Sequence, residues 1–243
     1  MAELSLAQQK QAVRTDLAAM FRLTVHFGWD DTVWNHITAR VPGEEEHFYM
    51  HRFGLHYSEV TASNLITVDK DGKVIEGPKD VNTTGFIIHS AVHSNYPENK
   101  FVFHTHPKSA LAATCFQELP LRVQDSAMFY EKIGYHDWEG LSLDLHERAR
   151  IANALSGNIA LIMRNHGLLT VGATAGECFM HMYYLIRTCE VAIQSRASQI
   201  KLVEPTPEQW RAARDQYSTF PPGLYEWPAL KRLCEQEYPS FST

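Results

Sequence analysis

The sequence predicts an α/β protein in which a largely antiparallel sheet packs against helices, and three observations support that fold class. Apolar residues follow the two-residue period of a strand in several short stretches and the 3.6-residue period of a helix in longer ones. These stretches do not alternate regularly as strand, helix and strand, which is the pattern of a parallel sheet. The 243 residues contain no repeat and no long linker, so we expect one domain over 1–243, with a C-terminal tail from about 202.

Five helices are predicted from apolar spacing and from start and stop signals. Ser5 can cap the first helix, which ends near Gly28. Asn82 or Thr83 opens the second helix, and Pro97 stops it because proline lacks the backbone N–H that a helix needs. The predicted helices cover 5–26, 83–95, 108–115, 174–201 and 207–216.

Seven strands are predicted between these helices. Asp71-Gly72 lies between apolar flanks and is a good signal for a hairpin that joins two of the strands. The run from Phe101 to His106 is apolar and aromatic and ends at Pro107, which indicates a buried strand. The predicted strands cover 37–41, 47–50, 65–68, 73–76, 101–106, 159–163 and 168–171.

The composition excludes several classes of function. The formal net charge is −6 and there is no block of basic residues, so the chain lacks the positive surface that binds a nucleic-acid backbone. Residues 1–14 contain no apolar run typical of a secretory signal, and no window is long and apolar enough to span a membrane. We therefore expect a cytoplasmic protein without nucleic-acid or membrane partners. The cysteines lack CxxC spacing and are expected to be reduced thiols: Cys115, Cys178, Cys189 and Cys234.

Two histidines that are two residues apart carry the strongest functional signal. His104 and His106 end the predicted buried strand, and side chains at this spacing point to the same face, so both imidazoles can reach one metal ion. His166 lies in Asn165-His166-Gly167 between two apolar strands, where glycine supplies a backbone conformation that lets the turn approach another surface closely. Three neutral imidazoles with an open fourth position are the usual ligands of a catalytic zinc or a related divalent ion.

A second pair of histidines leaves two interpretations open. His89 and His93 are four residues apart, which places them on one face of the second predicted helix. One of them could reach the metal or the substrate. Packing in the core, or a contact with a metal ligand instead of the metal itself, is the more common explanation of an HxxxH pattern without a neighbouring glutamate.

Several separated motifs resemble the class II aldolase and adducin head family, in the same order along the chain. The segment 35–40 is similar to the family's Asn-x-Ser-x-Arg motif, and the strand and proline at 103–107 resemble its histidine strand. The stretch 134–140 looks adducin-like, and 165–172 resembles the family's Asn-His-Gly turn with the strand that follows. Together these motifs span about residues 17–196.

The resemblance implies a three-layer α/β/α domain with a central, mainly antiparallel sheet, and a homo-oligomer, with a tetramer that has sites between subunits favoured. In the family's aldolases and epimerases three histidines hold zinc or another divalent ion, and the three histidines above match them. The ion acts as a Lewis acid on a carbonyl and a hydroxyl of a small substrate and stabilises an enediolate. The family's phosphate-binding asparagine matches Asn35, and its Ser-Ser pair matches Thr83 and Thr84 in chemical type.

One position departs from the family's pattern. Its aldolases have an acidic residue after the Ser-Ser pair, which serves as base or extra ligand, whereas this chain has Gly85. Because glycine cannot move a proton, we expect another group to act, and His89 is a candidate one helical turn further on the same face. Tyr130 lies where the aldolases supply a proton-donating tyrosine from the neighbouring subunit. A tyrosine that packs in an interface with a satisfied hydroxyl is an equally good interpretation.

Three functional hypotheses follow. The leading one is a divalent-metal lyase of the aldolase or decarboxylase type, with zinc favoured over iron, manganese and cobalt, acting on a small hydroxy-carbonyl or oxo-acid compound. Sugar phosphates are disfavoured because Phe86 and Ile87 replace polar neighbours and Asn64 stands where a glycine often shapes the phosphate loop. The second is a mononuclear iron oxygenase acting on an aromatic oxo acid, since loss of the acidic residue opens coordination positions. The third is a non-catalytic, adducin-like assembly module, against which the retention of all three presumed ligands argues.

Overall fold

Eight strands form one sheet in the computed structural model, which describes residues 4–141 and 144–243. The strands are β1 (His36–Val41), β2 (Glu44–Met50), β3 (Ile66–Asp69), β4 (Val74–Glu76), β5 (Phe101–Thr105), β6 (Ile133–His136), β7 (Ala160–Met163) and β8 (Gly167–Gly172). Their order in the sheet is β4-β3-β2-β1-β5-β8-β7-β6. All neighbouring pairs are antiparallel except β6 and β7. With helices on both faces, the predicted three-layer α/β/α fold with a mainly antiparallel sheet is confirmed.

The helices begin where the sequence supplies caps. The side chain of Ser5 accepts a hydrogen bond from the backbone N–H of Gln8, and that of Asn82 accepts one from Gly85 at 3.1 Å. None of the helices in the described residues is both long and apolar enough to cross a membrane. The helices are α1 (Leu6–His26), α2 (Thr83–Asn95), α3 (Leu111–Thr114), α4 (Glu147–Leu155), α5 (Ala175–Ala197), α6 (Pro207–Gln216) and α7 (Glu226–Glu237).

The central strands bury apolar residues on both of their faces. Phe101 and Phe103 belong to the apolar cluster that contains α1 and α5, where Phe103 stacks on Phe179. Val102, which lies between them in the strand, belongs instead to the cluster of α2 and α4, with Ile88. This alternation places residues 102 and 104 on the α2 side of the sheet, which is the side on which the candidate site forms.

Three elements between β5 and β8 differ from the sequence-based expectation. Helix α3 has four residues instead of the predicted 108–115, because the carbonyl of Pro107 accepts hydrogen bonds from Ala110 and Leu111 and closes a turn first. Strand β6 was not predicted, since its four residues lie at the sheet edge and are too few for a clear period. Helix α4 was also missed, because it buries only a narrow apolar stripe.

The C-terminal region, predicted as a tail with one helix, contains a second helix that contributes to the core. In α7, Trp227 is 9% exposed, and a Cβ atom on Gly176 of α5 would lie 2.6 Å from the Cβ of Trp227. Phe241 is 1% exposed, and its carbonyl accepts a hydrogen bond from the backbone N–H of Ala62 at 2.8 Å. Helix α7 therefore packs against α1 and α5.

Candidate metal centre

Three histidines lie together where β5 ends and β8 begins. The ring centroids of His104, His106 and His166 are 4.8 to 4.9 Å apart, and one ligand atom of each lies within 4.8 Å of the others. The Nε2 atoms of His104 and His106 are 2.9 Å apart. The structure thus brings together the two strand histidines and the turn histidine that the sequence singled out.

The turn before β8 can approach β5 because Gly167 has no side chain. A Cβ atom there would lie 2.6 Å from Cδ2 of His106 and 2.9 Å from the carbonyl oxygen of Thr105. The left-handed backbone of the turn is at Asn165, with a φ of 55°, a conformation that asparagine tolerates. Gly167 therefore acts through its small size, whereas the sequence interpretation had assigned it a special backbone conformation.

Asp31 orients one of the three imidazoles and was not singled out from the sequence. Its Oδ2 atom is 3.1 Å from Nδ1 of His106. A carboxylate in this position favours a proton on Nδ1 and leaves the lone pair of Nε2 facing the other two histidines. No local pattern could connect the two residues, because they are 75 positions apart in the chain.

Burial keeps His104 and His166 neutral. It lowers the pKa of His166 to about 4, together with the nearby His106, and it lowers the pKa of His104 well below the ordinary value, together with His36 and His106. A neutral imidazole carries the lone pair that a metal ion needs. Three such nitrogen ligands fit zinc, and they fit iron, manganese or cobalt as well.

A cavity of about 600 Å³ opens over the three histidines, and one of its sides is polar. Asn35, Thr83 and Thr84 line that side, and their predicted role in binding substrate stays a prediction. Asn35 is 2% exposed, and neither its amide nitrogen nor its amide oxygen has a hydrogen-bond partner in the part of the chain that the structure describes. The hydroxyl of Thr84 donates to Asn82 at 2.8 Å. The Asn35 amide is therefore an enclosed polar group that the described residues leave unpaired, beside the cavity.

The opening of the cavity is apolar. Trp34, Trp138 and Leu141 line it and are 51%, 61% and 76% exposed, respectively. Phe53 lines it beside Trp34, with ring centroids 5.5 Å apart. Large exposed apolar side chains grouped around one opening are typical of a surface that a substrate or a protein partner covers.

The residues that argued against sugar phosphates do not line this cavity. Phe86 packs in an apolar cluster with residues of β2 and β3, and the side-chain amide of Asn64 donates to the carbonyl of Glu59 at 2.9 Å. Ile87 is buried and likewise does not line the cavity. The assumption that these three residues surround the substrate is therefore wrong, and they provide no evidence against a phosphate group.

His89 does not reach the cavity, contrary to the expectation that it contacts the reacting groups. It is 1% exposed, and its Nε2 atom is 2.7 Å from Nδ1 of His36 while its Nδ1 atom is 2.6 Å from Oγ1 of Thr38. His36 lines the cavity and lies between the cavity and His89. His89 is on the expected face of α2, but sequence reasoning did not foresee that His36 from β1 would occupy that face. His89 is thus placed to act through His36.

Tyr130 lies outside the cavity of its own subunit. Its ring stacks on that of Trp210, with centroids 6.3 Å apart, and the guanidinium of Arg211 lies over it. The expected role of Tyr130, as a group supplied to the site of a neighbouring subunit, stays a prediction because it requires a second copy of the chain.

A second group of potential ligands lies near β6 and α4. Nitrogen or oxygen atoms of His136, Glu139 and Glu147 are within 4.8 Å of one another, and Nε2 of His136 is 3.1 Å from Oε1 of Glu147. Arg150 donates to both carboxylate oxygens of Glu139 at 2.8 Å. Because the arginine already neutralises Glu139, this group has the character of an ion-pair network and not of an open metal site.

The three-layer fold and the converging histidines beneath a cavity define a protein of the class II aldolase type. Residues 15–193 match the family described as Class II Aldolase and Adducin N-terminal domain. The chain belongs to this family.

Relatives within the family have different names. The chain is 37% identical over 246 residues to a "Putative aldolase class 2 protein" of Caulobacter vibrioides, covering 98% of this chain and 94% of that protein. It is 28% identical to the solved structure of an L-fuculose 1-phosphate aldolase from Glaciozyma antarctica, with a TM-score of 0.89, over 99% of this chain and 96% of that one. It is 36% identical over 200 residues to alpha-adducin of Rattus norvegicus, which covers 80% of this chain but 27% of the adducin.

Proposed function

We propose that the protein is a divalent-metal-dependent lyase of the aldolase or decarboxylase type, acting on a small hydroxy-carbonyl or oxo-acid compound. The observation that carries this proposal is the convergence of His104, His106 and His166 beneath a cavity with a polar side. Membership of the family and the likeness to an L-fuculose 1-phosphate aldolase support the same class of reaction.

The three imidazoles would hold one divalent ion, with zinc proposed first and iron, manganese or cobalt as alternatives. When bound, such an ion supplies the positive charge that polarises the carbonyl and hydroxyl oxygens of the substrate and stabilises an enediolate. The chain contributes the alignment of the ligands. Asp31 holds the ring of His106, and Gly167 lets the turn carry His166 against β5.

We assign substrate recognition to the polar side of the cavity. The unpaired amide of Asn35 can donate to one substrate oxygen and accept from a hydroxyl group. Thr83 and Thr84 lie in the first turn of α2, where free backbone N–H groups and the helix dipole favour a negative charge. The anionic end of the substrate, a carboxylate or a phosphate, is therefore proposed to lie beside α2 with its carbonyl beside the histidines.

We further propose a cytoplasmic homo-oligomer, with a tetramer favoured. The exposed Trp34, Trp138 and Leu141 leave apolar surface at the rim that a neighbouring subunit can help to cover. Tyr130 would then be available to a neighbouring site. Light scattering after size-exclusion chromatography measures the mass directly, and a monomer across the accessible concentration range would contradict this part of the proposal.

A non-catalytic assembly role is the second candidate, favoured by the 36% identity to alpha-adducin. This role predicts folding and assembly that do not change when metal is removed. The iron oxygenase hypothesis gains no support from the three relatives described above. Metal analysis of anaerobically purified protein with oxygen-uptake measurements tests it, and zinc with no oxygen consumption would remove it.

The test of the lyase is turnover by protein loaded in turn with zinc, manganese, cobalt and, anaerobically, iron. Hydroxy acids, oxo acids and hydroxyaldehydes, each with and without a phosphate group, are followed by NMR for products of C–C cleavage. His166→Ala is expected to abolish metal retention and turnover. His47→Ala changes a histidine of β2 that does not line the cavity and is expected to leave both intact. Metal-loaded protein that yields no cleavage product from any compound would contradict the proposal.

A further inference from the structure

The imidazole of His36 fills the space into which a side chain at residue 85 would point. A Cβ atom on Gly85 would lie 2.4 Å from Cδ2, 2.6 Å from Cγ and 3.0 Å from Nε2 of His36. Contacts below 3.0 Å do not occur for real Cβ atoms, so a larger residue at 85 would displace the ring. The missing side chain at residue 85 and the position of His36 are therefore two parts of one arrangement.

His36 stands beside the presumed metal ligands and faces the same cavity. It pairs with His104 across β1 and β5, and the two rings stack with centroids 4.7 Å apart. Its Nδ1 atom is 2.7 Å from Nε2 of His89. Its Nε2 atom is not enclosed by protein and has no hydrogen-bond partner within the residues 4–141 and 144–243, although the residue lines the cavity. This nitrogen is the part of His36 that a ligand can contact.

A chain of hydrogen bonds runs from His36 into the interior. Beyond His89, Oγ1 of Thr38 is 2.6 Å from Nδ1 of His89 and 2.8 Å from Nε2 of His93. Burial lowers the pKa of His36, His89 and His93. The hydroxyl of Thr38 links the two histidines of α2, and His89 in turn holds the ring of His36.

We propose that His36 is a substrate-contacting residue whose Nε2 atom forms a hydrogen bond with a hydroxyl group of the substrate next to the metal. This inference rests on the function proposed above and adds a determinant of specificity. A hydroxyl group can both donate and accept a hydrogen bond, so it fits an imidazole nitrogen with or without a proton. His89, Thr38 and His93 are positioning residues that act through His36.

The positioning role of Thr38 and His89 is measured by long-range ¹H–¹⁵N NMR of the zinc-loaded, full-length protein labelled at the histidine nitrogens. Thr38→Val removes the hydroxyl and is expected to change which nitrogen of His36 carries the proton, whereas Thr38→Ser keeps the hydroxyl and is expected to give the wild-type signals. His36 signals that are the same in Thr38→Val and in the wild type overturn the positioning role, whether or not the protein turns over any compound.

Contact with a ligand is measured with glycolohydroxamate and acetohydroxamate, which chelate a metal through the same two oxygens and differ by one hydroxyl group. The zinc-loaded wild-type protein is expected to bind the hydroxylated probe about tenfold more tightly, and His36→Phe is expected to lose this preference with unchanged zinc affinity. An equal preference in both proteins overturns the contact. A preference that depends on His36, combined with no turnover of any substrate, supports the contact and contradicts only the proposed function.

The placement of the His36 ring against residue 85 is tested by adding a methyl group at residue 85. Gly85→Ala is expected to lower the Tm of the wild-type protein by about 2 to 8 °C, because the new Cβ atom meets the imidazole. In the His36→Ala background the space is free, and the same substitution is expected to cause no decrease. An equal decrease in both backgrounds overturns the placement of His36 against residue 85.

Discussion

Removal of the Asp31 carboxylate is expected to weaken zinc binding by about tenfold. The Oδ2 atom of Asp31 is 3.1 Å from Nδ1 of His106, so it holds the ring in the orientation that directs Nε2 toward His104 and His166. Partners of this kind change metal affinity by about 10- to 100-fold. The side chain of Asp31 is 46% exposed, and solvent screening places the effect at the lower end, which corresponds to about 1.4 kcal/mol.

Three variants separate the contributions of charge, geometry and position. Asp31→Ala removes the acceptor and its charge, whereas Asp31→Asn keeps an oxygen that can accept from Nδ1 and is expected to lose only about threefold. Asp30→Ala is the matched control. Oδ2 of Asp30 is 3.2 Å from Nε2 of His56, and neither residue lines the cavity, so this variant is expected to bind zinc like the wild type.

Competition with a chromophoric chelator at neutral pH measures the Kd for zinc. Thermal unfolding of each variant without metal confirms that the fold is intact. If Asp31→Ala and Asp30→Ala have the same Kd, the reasoning that Asp31 fixes the ring of His106 is refuted.

Three further predictions concern residues that do not line the cavity. His51 is buried against Phe21 and Tyr57, and burial lowers its pKa to about 4. Because the unfolded chain binds this proton near pH 6.5 and the folded chain does not, its stabilisation is lost as pH falls from about 6.5 toward 4. His51→Leu is therefore expected to reduce the loss in free energy of unfolding between pH 7 and pH 5 by about 2 kcal/mol in urea titrations, and an unchanged loss would contradict this. Cys115 is the exposed thiol among four, so mass spectrometry should find one modified cysteine per native chain and four after denaturation; rapid modification of a buried thiol would disagree. Phe241→Ala is expected to lower the free energy of unfolding by about 3–5 kcal/mol because its ring is 1% exposed, and a change below about 1 kcal/mol would show that the C-terminal packing is dispensable.

Features of the fold that depend on neighbours in the chain were predictable. Ser5 and Asn82 cap the helices that they were expected to cap, because a cap involves only the next three residues. The pairing of His104 with His106 followed from strand alternation, which is also a local property. Strand β6 was missed because it is four residues long and lies at the sheet edge, where burial against β7 stabilises it and local preference does not reveal it. Helix α7 was missed because the prolines in the tail predict interruptions, although Trp227, Leu230 and Cys234 recur at helical spacing.

In the candidate site, too, features that depend on neighbouring residues were predictable and contacts between distant segments were not. His166 could be proposed from its turn between two strands, whereas Asp31 carried no distinguishing local pattern. His36 lay in the family-like segment 35–40, and a further signal was its alternation with Thr38, which places both side chains on the face of β1 that meets α2. That signal has no meaning until the position of α2 on the sheet is known. His89 was placed in the cavity by sequence reasoning because the intervening ring of His36 could not be foreseen.

The sequence by itself determined the class of fold, the ends of the main helices and the histidines that could bind one metal ion, since each of these follows from spacing along the chain or from family motifs. Only the tertiary structure decided that His36 occupies the space left by Gly85, that Asp31 orients His106 and that Asn35 stays unpaired. The physical reason is that these relations depend on strand register and on helix packing between segments up to 75 residues apart. A one-residue change of register would turn His36 to the other face of the sheet with no change in its local sequence pattern.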